Sequence, residues 1–204
     1  MQHDHHDTWS NTASIIETLK HLANYGRPYG WLDPDFLMTA GAGCDKNVTG
    51  LRCPGQTETE YLTEVSLWSM AAAPLLVATD VRNLTAFMKK ALLNTEIIAI
   101  DQDPLGIAGG LVANWGCSCG STYCQVWSRP LHDGTFAVAL YNAHSDSHHI
   151  TVKWEVIPGS NFTSDSVVSV RDVWAQRGLG SFTGNLTMEV ESHQTLVYKV
   201  SASA

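Results

Sequence analysis

Residues 96–106, EIIAIDQDPLG, mark the point at which the periodicity of the chain changes. Downstream, apolar residues recur at every second position: Phe136, Val138 and Leu140; Ile150, Val152, Trp154 and Val156; Val168, Val170 and Trp174; Leu186, Met188 and Val190; Leu196, Tyr198 and Val200. Successive side chains of a strand point to opposite faces, so each set reads as a strand with one buried face. Turn clusters such as His132-Asp133-Gly134 and Pro158-Gly159-Ser160 separate the sets. Short strands repeated at this spacing predict an antiparallel β-sandwich.

Upstream the spacing is helical. In residues 8–24, Trp9, Ala13, Ile15, Ile16, Leu19 and Leu22 fall on one face, with Asp7 as the expected N-cap and Gly26 and Pro28 as stop signals. A second helix is expected over residues 57–72, where Thr57 and Glu60 form a capping box and Pro74 ends the run. Residues 85–94 suggest a shorter third helix. Residues 29–32 and 75–79 read as strands, and the unbroken apolar run Leu75-Leu76-Val77-Ala78 suits a parallel sheet covered on both faces. Two βα units are too few to close a barrel, which points to further sequence before Met1. The expected division is therefore an α/β part over residues 1–106 and an all-β part over residues 107–204.

Twelve Lys and Arg against twenty Asp and Glu give a formal charge of −8. Binders of nucleic acid or of anionic membranes need basic surface, so neither partner is expected. An apolar share of 44% supplies a core. The longest apolar run, residues 70–78, is too short to span a bilayer. Four sequons, at Asn47, Asn83, Asn161 and Asn185, together with Cys44, Cys53, Cys117, Cys119 and Cys124, indicate an oxidising secretory route. The first twelve residues, MQHDHHDTWSNT, have neither the basic nor the apolar region of a signal peptide. Cys44 is expected to pair with Cys53 across a short loop, and two of Cys117, Cys119 and Cys124 with each other, which leaves one of the five thiols over. The Cys-x-Cys-x₄-Cys spacing lacks a fourth ligand for structural zinc.

Two segments carry candidate chemistry. In residues 29–37, YGWLDPDFL, Asp33 and Asp35 follow an apolar run beside Trp31 and Phe36. Carboxylates next to aromatic faces suit a sugar, whose C–H faces pack on rings and whose hydroxyls need acceptors. The same residues also fit an ordinary Asp-Pro-Asp turn, and Asp80 carries the same ambiguity. In residues 1–9, MQHDHHDTW, the His and Asp residues fit a solvated polar terminus, a metal site or a catalytic carboxylate at Asp4. Composition does not choose among these.

Taken together, YGWLDPDFL, SLWSMAAAPLLVATDVRNL (residues 66–84), EIIAIDQDPLG and VWSRPLHDGTFAVALYN (residues 126–142) resemble the C-terminal half of the secreted α-galactosidases, or melibiases, of glycoside hydrolase family 27. The resemblance implies the C-terminal part of a (β/α)₈ barrel, with strands seven and eight, followed by an antiparallel β-sandwich. It implies a retaining mechanism with two aspartates. One, the nucleophile, lies in a Lys-Tyr-Asp segment that these 204 residues do not contain. The other is the acid/base in Arg-x-x-x-Asp-x-x-Asp-x-Trp, whose second half is matched by Asp4, Asp7 and Trp9; the matching makes Asp4 the acid/base. Asp33 and Asp35 fall on the family's Asp-Pro-Asp, the second of which lies at the galactose pocket. Trp31 falls on the strand-seven tryptophan, and Phe36 replaces a common Met. The partners implied are an α-galactoside oligosaccharide and, in the complete enzyme, a second copy of the chain, with no metal or other cofactor. Alternatives are α-N-acetylgalactosaminidase or β-L-arabinopyranosidase action, or a non-catalytic carbohydrate-binding module, although Trp154 and Trp174 read as core.

Overall fold

The computed structural model describes residues 4–39, 54–114 and 123–203. Among them four α-helices precede eight strands: α1 (Trp9–Leu19), α2 (Glu58–Met70), α3 (Ala86–Leu92), α4 (Thr95–Asp101), then β1 (Gly110–Ala113), β2 (Cys124–Pro130), β3 (Phe136–Asn142), β4 (His148–Lys153), β5 (Val167–Asp172), β6 (Arg177–Thr183), β7 (Asn185–Val190) and β8 (Thr195–Ala202). The order β1-β2-β3-β8-β5-β6 makes one six-stranded sheet and β4-β7 a second, and every pair is antiparallel.

Strand periodicity explains the layering. Phe136, Val138 and Leu140 of β3, with Tyr198 and Val200 of β8 and Val168 and Val170 of β5, point toward Ile150, Val152, Leu186 and Val190 of the two-stranded sheet and fill the sandwich. The alternate residues Ala137, Ala139, Tyr141, Trp127 and Val197 point the other way and share a second core with Ile16, Leu19, Val65, Leu67 and Trp68 of the helices. The small side chains of Ala137 and Ala139 leave room for α2 to lie on the sheet. Because helices cover its outer face, β3 is buried at all seven positions, against the one-sided burial that its alternation suggests.

The capping box of α2 is present: Thr57 Oγ1 accepts from Glu60 N, and a Glu60 carboxylate oxygen accepts from Thr57 N. Several expectations need correction. Helix α1 starts at Trp9 with Thr8 at its N-cap, and Asp7 is committed elsewhere; a 3-10 turn, Ala23–Tyr25, replaces its expected last turn. Residues 29–32 are not a strand, because Tyr29 sits at φ 70 in a turn closed by the Arg27–Gly30 bridge. The parallel pairing occurs instead at Leu37 and Val77, where Leu37 N donates to Leu76 O and Ala78 N to Leu37 O. Strands β1, β2 and β6 were not legible. Six of the seven β2 residues are buried, and β6 is exposed and glycine-containing, so neither displays a period of two. Leu196 is only partly buried, and Trp174 lies in the turn after β5, with its indole N–H bonded to Ser66 Oγ.

We propose the division near residue 106 as one of fold rather than of core. Gly106 turns at φ 58 against the Trp31 indole, where a Cβ would stand 2.5 Å from a ring carbon. Three residues on, Gly109 N donates to Met70 O at 2.7 Å, an approach that a side chain would block. The helices and the sheet are thus packed as one body.

Candidate active site

The polar strip of residues 4–7, just before α1 opens at Trp9, alternates in burial: Asp4 and His6 face solvent, whereas His5 and Asp7 are buried. His5 is held on every side. Its ring Nδ1 donates to Phe36 O at 2.7 Å, its Nε2 accepts from Thr12 Oγ1 at 2.8 Å, and its ring lies against Trp68. Burial lowers its pKa below 6.5, against the raising influence of the Phe36 carbonyl and of Asp35, which favours the neutral tautomer these contacts require.

The backbone amide of His5 donates to Asp35 Oδ2 at 3.0 Å. That nitrogen is bonded directly to the carbonyl carbon of Asp4, so the Asp4 and Asp35 segments meet edge to edge. The Asp35 corner is built for this contact. Asp33 Oδ1 accepts from Asp35 N in an Asx turn, Asp35 sits at φ 76, its Oδ1 accepts from Phe36 N and its carbonyl accepts from Trp68 Nε1 at 2.9 Å. A left-handed Asp costs on the order of 1 kcal/mol, which these four bonds offset. Asp4 itself is exposed, and its backbone carbonyl accepts from Asn11 Nδ2 at 3.3 Å. Phe36 is 47% exposed beside Asp35.

Asp7 anchors the same strip to α2. It accepts from Tyr61 Oη at 2.6 Å, Gly55 N at 3.1 Å and Gln56 Nε2 at 3.5 Å. Gln56 Nε2 also donates to Glu64, which is fully buried and accepts from Met38 N. Burial pushes the Glu64 carboxyl up to about 8, against the lowering influence of its two hydrogen bonds. A carboxyl with a raised folded pKa contributes stability that is complete below its unfolded value near 4.5 and is lost as pH rises toward 8. Buried Asp101, raised to about 6, and His5, lowered from 6.5, act only at lower pH. Urea denaturation between pH 6.5 and 8 should therefore show falling stability that Glu64→Gln flattens. An unchanged slope in that variant would remove Glu64 as its source.

Some candidates lie apart. Trp31 lines a separate groove of about 450 Å³ with Pro74, Asp101, Gln102, Asp103 and Pro104. Asp80 is a turn cap, with its carboxylate bound by Arg82 N, Nε and Nη2 and held below the usual range by that guanidinium. Cys124 is buried and disulfide-bonded. Cys44, Cys53, Cys117, Cys119 and Asn47 lie outside the described residues. Asn83, Asn161 and Asn185 are exposed. No group of three or more His, Cys, Asp or Glu side chains suited to a metal occurs among the described residues, and no helix there is long and apolar enough to cross a membrane. His5 and Asp7 as anchors were missed from sequence. In a run of uniformly polar residues no apolar contrast displays the alternation.

The family model described as "Alpha galactosidase A" matches residues 2–103, and the one described as "Alpha galactosidase C-terminal beta sandwich domain" matches residues 121–200. The chain belongs to the α-galactosidase family, glycoside hydrolase family 27. Alpha-galactosidase 3 of Arabidopsis thaliana is 36% identical over 197 residues, 96% of this chain and 41% of the relative. The crystal structure of α-galactosidase I from Mortierella vinacea aligns with TM-score 0.80 and 28% identity, over 95% of this chain and 45% of that one. A β-L-arabinopyranosidase of the same family from Geobacillus stearothermophilus aligns with TM-score 0.85 over 98% of this chain and 44% of that one, and at 22% identity it speaks to the fold alone. The chain spans less than half the length of these relatives. The α-galactosidase assignment supports the fold class expected from sequence, the C-terminal part of a catalytic barrel followed by a β-sandwich.

Proposed function

We propose that this chain carries the acid/base side of the active site of a retaining α-galactosidase, with Asp4 as the acid/base and Asp35 and Phe36, oriented by Asp33, as wall and acceptor for the sugar. The observation that carries the proposal is the bond from His5 N to Asp35 Oδ2, which brings the Asp4 loop to the Asp-Pro-Asp corner. Asp35 keeps lone pairs free for sugar hydroxyls, because each carboxylate oxygen accepts one backbone amide. Exposed Asp4 can protonate a leaving oxygen and then deprotonate water. Retention requires a second carboxylate roughly 5 Å from it, attacking the anomeric carbon, and in this reading polypeptide outside the 204 residues supplies it. Trp31 belongs to the proposal only as a framework residue.

The substrate is a terminal α-linked galactoside of an oligosaccharide. The test is a panel of p-nitrophenyl glycosides offered to the chain joined to a barrel segment bearing Lys-Tyr-Asp. The α-galactoside is expected to be the fastest. Preferential cleavage of the α-N-acetylgalactosaminide or the β-L-arabinopyranoside would move the assignment within the family. A carbohydrate-binding module is disfavoured by Trp154, which is fully buried, and by Trp174, whose indole N–H is bonded internally.

The secretory route is proposed from the sequons and from Cys124. Expression through a eukaryotic secretory pathway should attach glycans at Asn83, Asn161 and Asn185, each lost with its own Asn→Gln change. Digestion with an N-glycosidase that leaves the mass of the chain unchanged would refute this route. The expected pairings of Cys44 with Cys53, and of two among Cys117, Cys119 and Cys124, are proposals for peptide mapping without reductant, as is a second copy of the chain in the complete enzyme.

A further inference from the structure

One anchor of the Asp4 strip comes from the sandwich. His193, in the turn between β7 and β8, stacks on Trp9 with ring centroids 4.4 Å apart and an interplanar angle of 22°. Its Nδ1 donates to Glu60 Oε1 at 2.7 Å, and the other oxygen of that carboxylate closes the capping box of α2. Its carbonyl accepts from Thr63 Oγ1 at 2.7 Å. The residue sits at φ 59, left-handed backbone that few non-glycine residues occupy. The turn is closed locally by Gln194 N donating to Glu191 O and by Glu191 N donating to Gln194 Oε1. Trp9 also meets the buried ring of Tyr141 edge to face at 6.4 Å, so the indole contacts two parts of the sandwich.

We infer that His193 is a positioning residue for the acid/base loop. The path to Asp4 is short. Trp9 opens α1, and Asn11 in the first turn binds the strip twice, its Oδ1 accepting from His6 N at 2.8 Å and its Nδ2 donating to Asp4 O at 3.3 Å. His5 and Asp7 fix the inner edge of the strip to the Asp35 corner and to α2. The stack fixes the direction in which α1 leaves it, and hence where the Asp4 side chain is presented. Losing a stacked ring and a charge-assisted hydrogen bond releases this constraint without touching a residue that would contact sugar.

The first test uses the 204-residue chain and does not depend on the catalytic reading. His193→Gly suits the φ 59 backbone, so it removes the ring without adding strain. Hydrogen exchange is expected to quicken at least tenfold at amides of residues 5–12 and to stay unchanged at Val138 and Val200 in the sandwich core. Unchanged exchange at residues 5–12, or equal quickening everywhere, would overturn the inference. If the glycine variant does not fold, His193→Asn, which also tolerates this backbone, serves the same comparison.

The second test rests on the assignment of Asp4 made above and uses the nucleophile-bearing assembly. Misplacing a general acid hurts poor leaving groups most, so His193→Gly should lower kcat/KM for an alkyl α-galactoside at least tenfold more than for the p-nitrophenyl α-galactoside. Asp4→Asn in parallel separates the two ideas. If Asp4→Asn shows no leaving-group dependence, the assignment of Asp4 fails. If Asp4→Asn discriminates and His193→Gly does not, the positioning role fails.

Discussion

The purified 204-residue chain is expected to release no p-nitrophenol from its α-galactoside above the uncatalysed rate. Displacement with retention needs an ionised carboxylate to form the glycosyl-enzyme bond and a second carboxyl to protonate the departing oxygen. In the proposed reading the chain offers Asp4 for the second task, and Asp35, each of whose carboxylate oxygens accepts one backbone amide, serves as an acceptor for sugar hydroxyls. No Lys-Tyr-Asp segment occurs in the sequence to perform the first task. Joining the chain to a segment that carries the nucleophile should produce activity. In that assembly Asp4→Asn is expected to slow cleavage of a poor leaving group by about 10²-fold or more, the usual contribution of a positioned general acid. Robust turnover by the isolated chain would require another nucleophile and would sink this division of labour. A wild-type rate in the Asp4→Asn assembly would remove Asp4 from the reaction.

The largest effect on stability is expected at Arg129. This residue of β2 is fully buried, and its guanidinium joins the sheet to the ends of two helices, donating through Nη1 to Ser69 O at 2.7 Å and through Nη2 to Asp101 O at 3.2 Å. Those carbonyls lie in the last turns of α2 and α4, where a cation is favoured; Ser69 O also accepts from Ala72 N at 3.3 Å. Burial lowers the pKa of the guanidinium from its usual value, while Asp101 and Asp103 raise it. Two opposing magnitudes decide the sign. Desolvating the cation costs several kcal/mol, and this cost disappears when Arg is replaced. Against it, the Asp101 carbonyl would lose its partner at about 1–3 kcal/mol, Ser69 O would keep only its bond from Ala72 N, and in the Ala variant a cavity of side-chain size would open among close-packed atoms. Arg129→Ala should therefore lower unfolding free energy by about 3–5 kcal/mol. Arg129→Met keeps the stem packing and should cost roughly half as much. Chemical denaturation of the two variants measures both values. A Met variant as stable as the wild type would show that the clamp contributes nothing beyond filling space.

The shared core bears on how far residues 107–204 can stand alone. Their alternating strands close the inner layer around Val138, Val152, Trp154 and Val200. The outer face, with Trp127, Ala139, Tyr141 and Val197, depends on α1 and α2 for cover. Strand periodicity reported the inner face and was blind to this second one, because the outward residues of β3 include the small Ala137 and Ala139 and the buried run of β2, CQVWSRP, mixes polar with apolar residues.

What the amino-acid order determined by itself was local or repetitive. The Thr57–Glu60 capping box fixed the start of α2, the glycines at 134 and 159 fixed turns at positive φ, and the period of two fixed β3, β4, β5, β7 and β8. These features arise from contacts between residues close in sequence, or from a repeating choice of buried face, so they are visible one segment at a time. The motif resemblance added the barrel and the candidate roles of Asp4 and Asp35. Only the tertiary structure decided how the segment of residues 4–9 is used. His5 meets Phe36 and Asp35 about thirty residues away, Asp7 meets Tyr61, and Trp9 meets His193 at the far end of the chain. Each is a polar or aromatic group whose partner is unspecified by its neighbours. Burial alone made those pairings obligatory, since a buried imidazole or carboxylate must find hydrogen bonds wherever the fold supplies them.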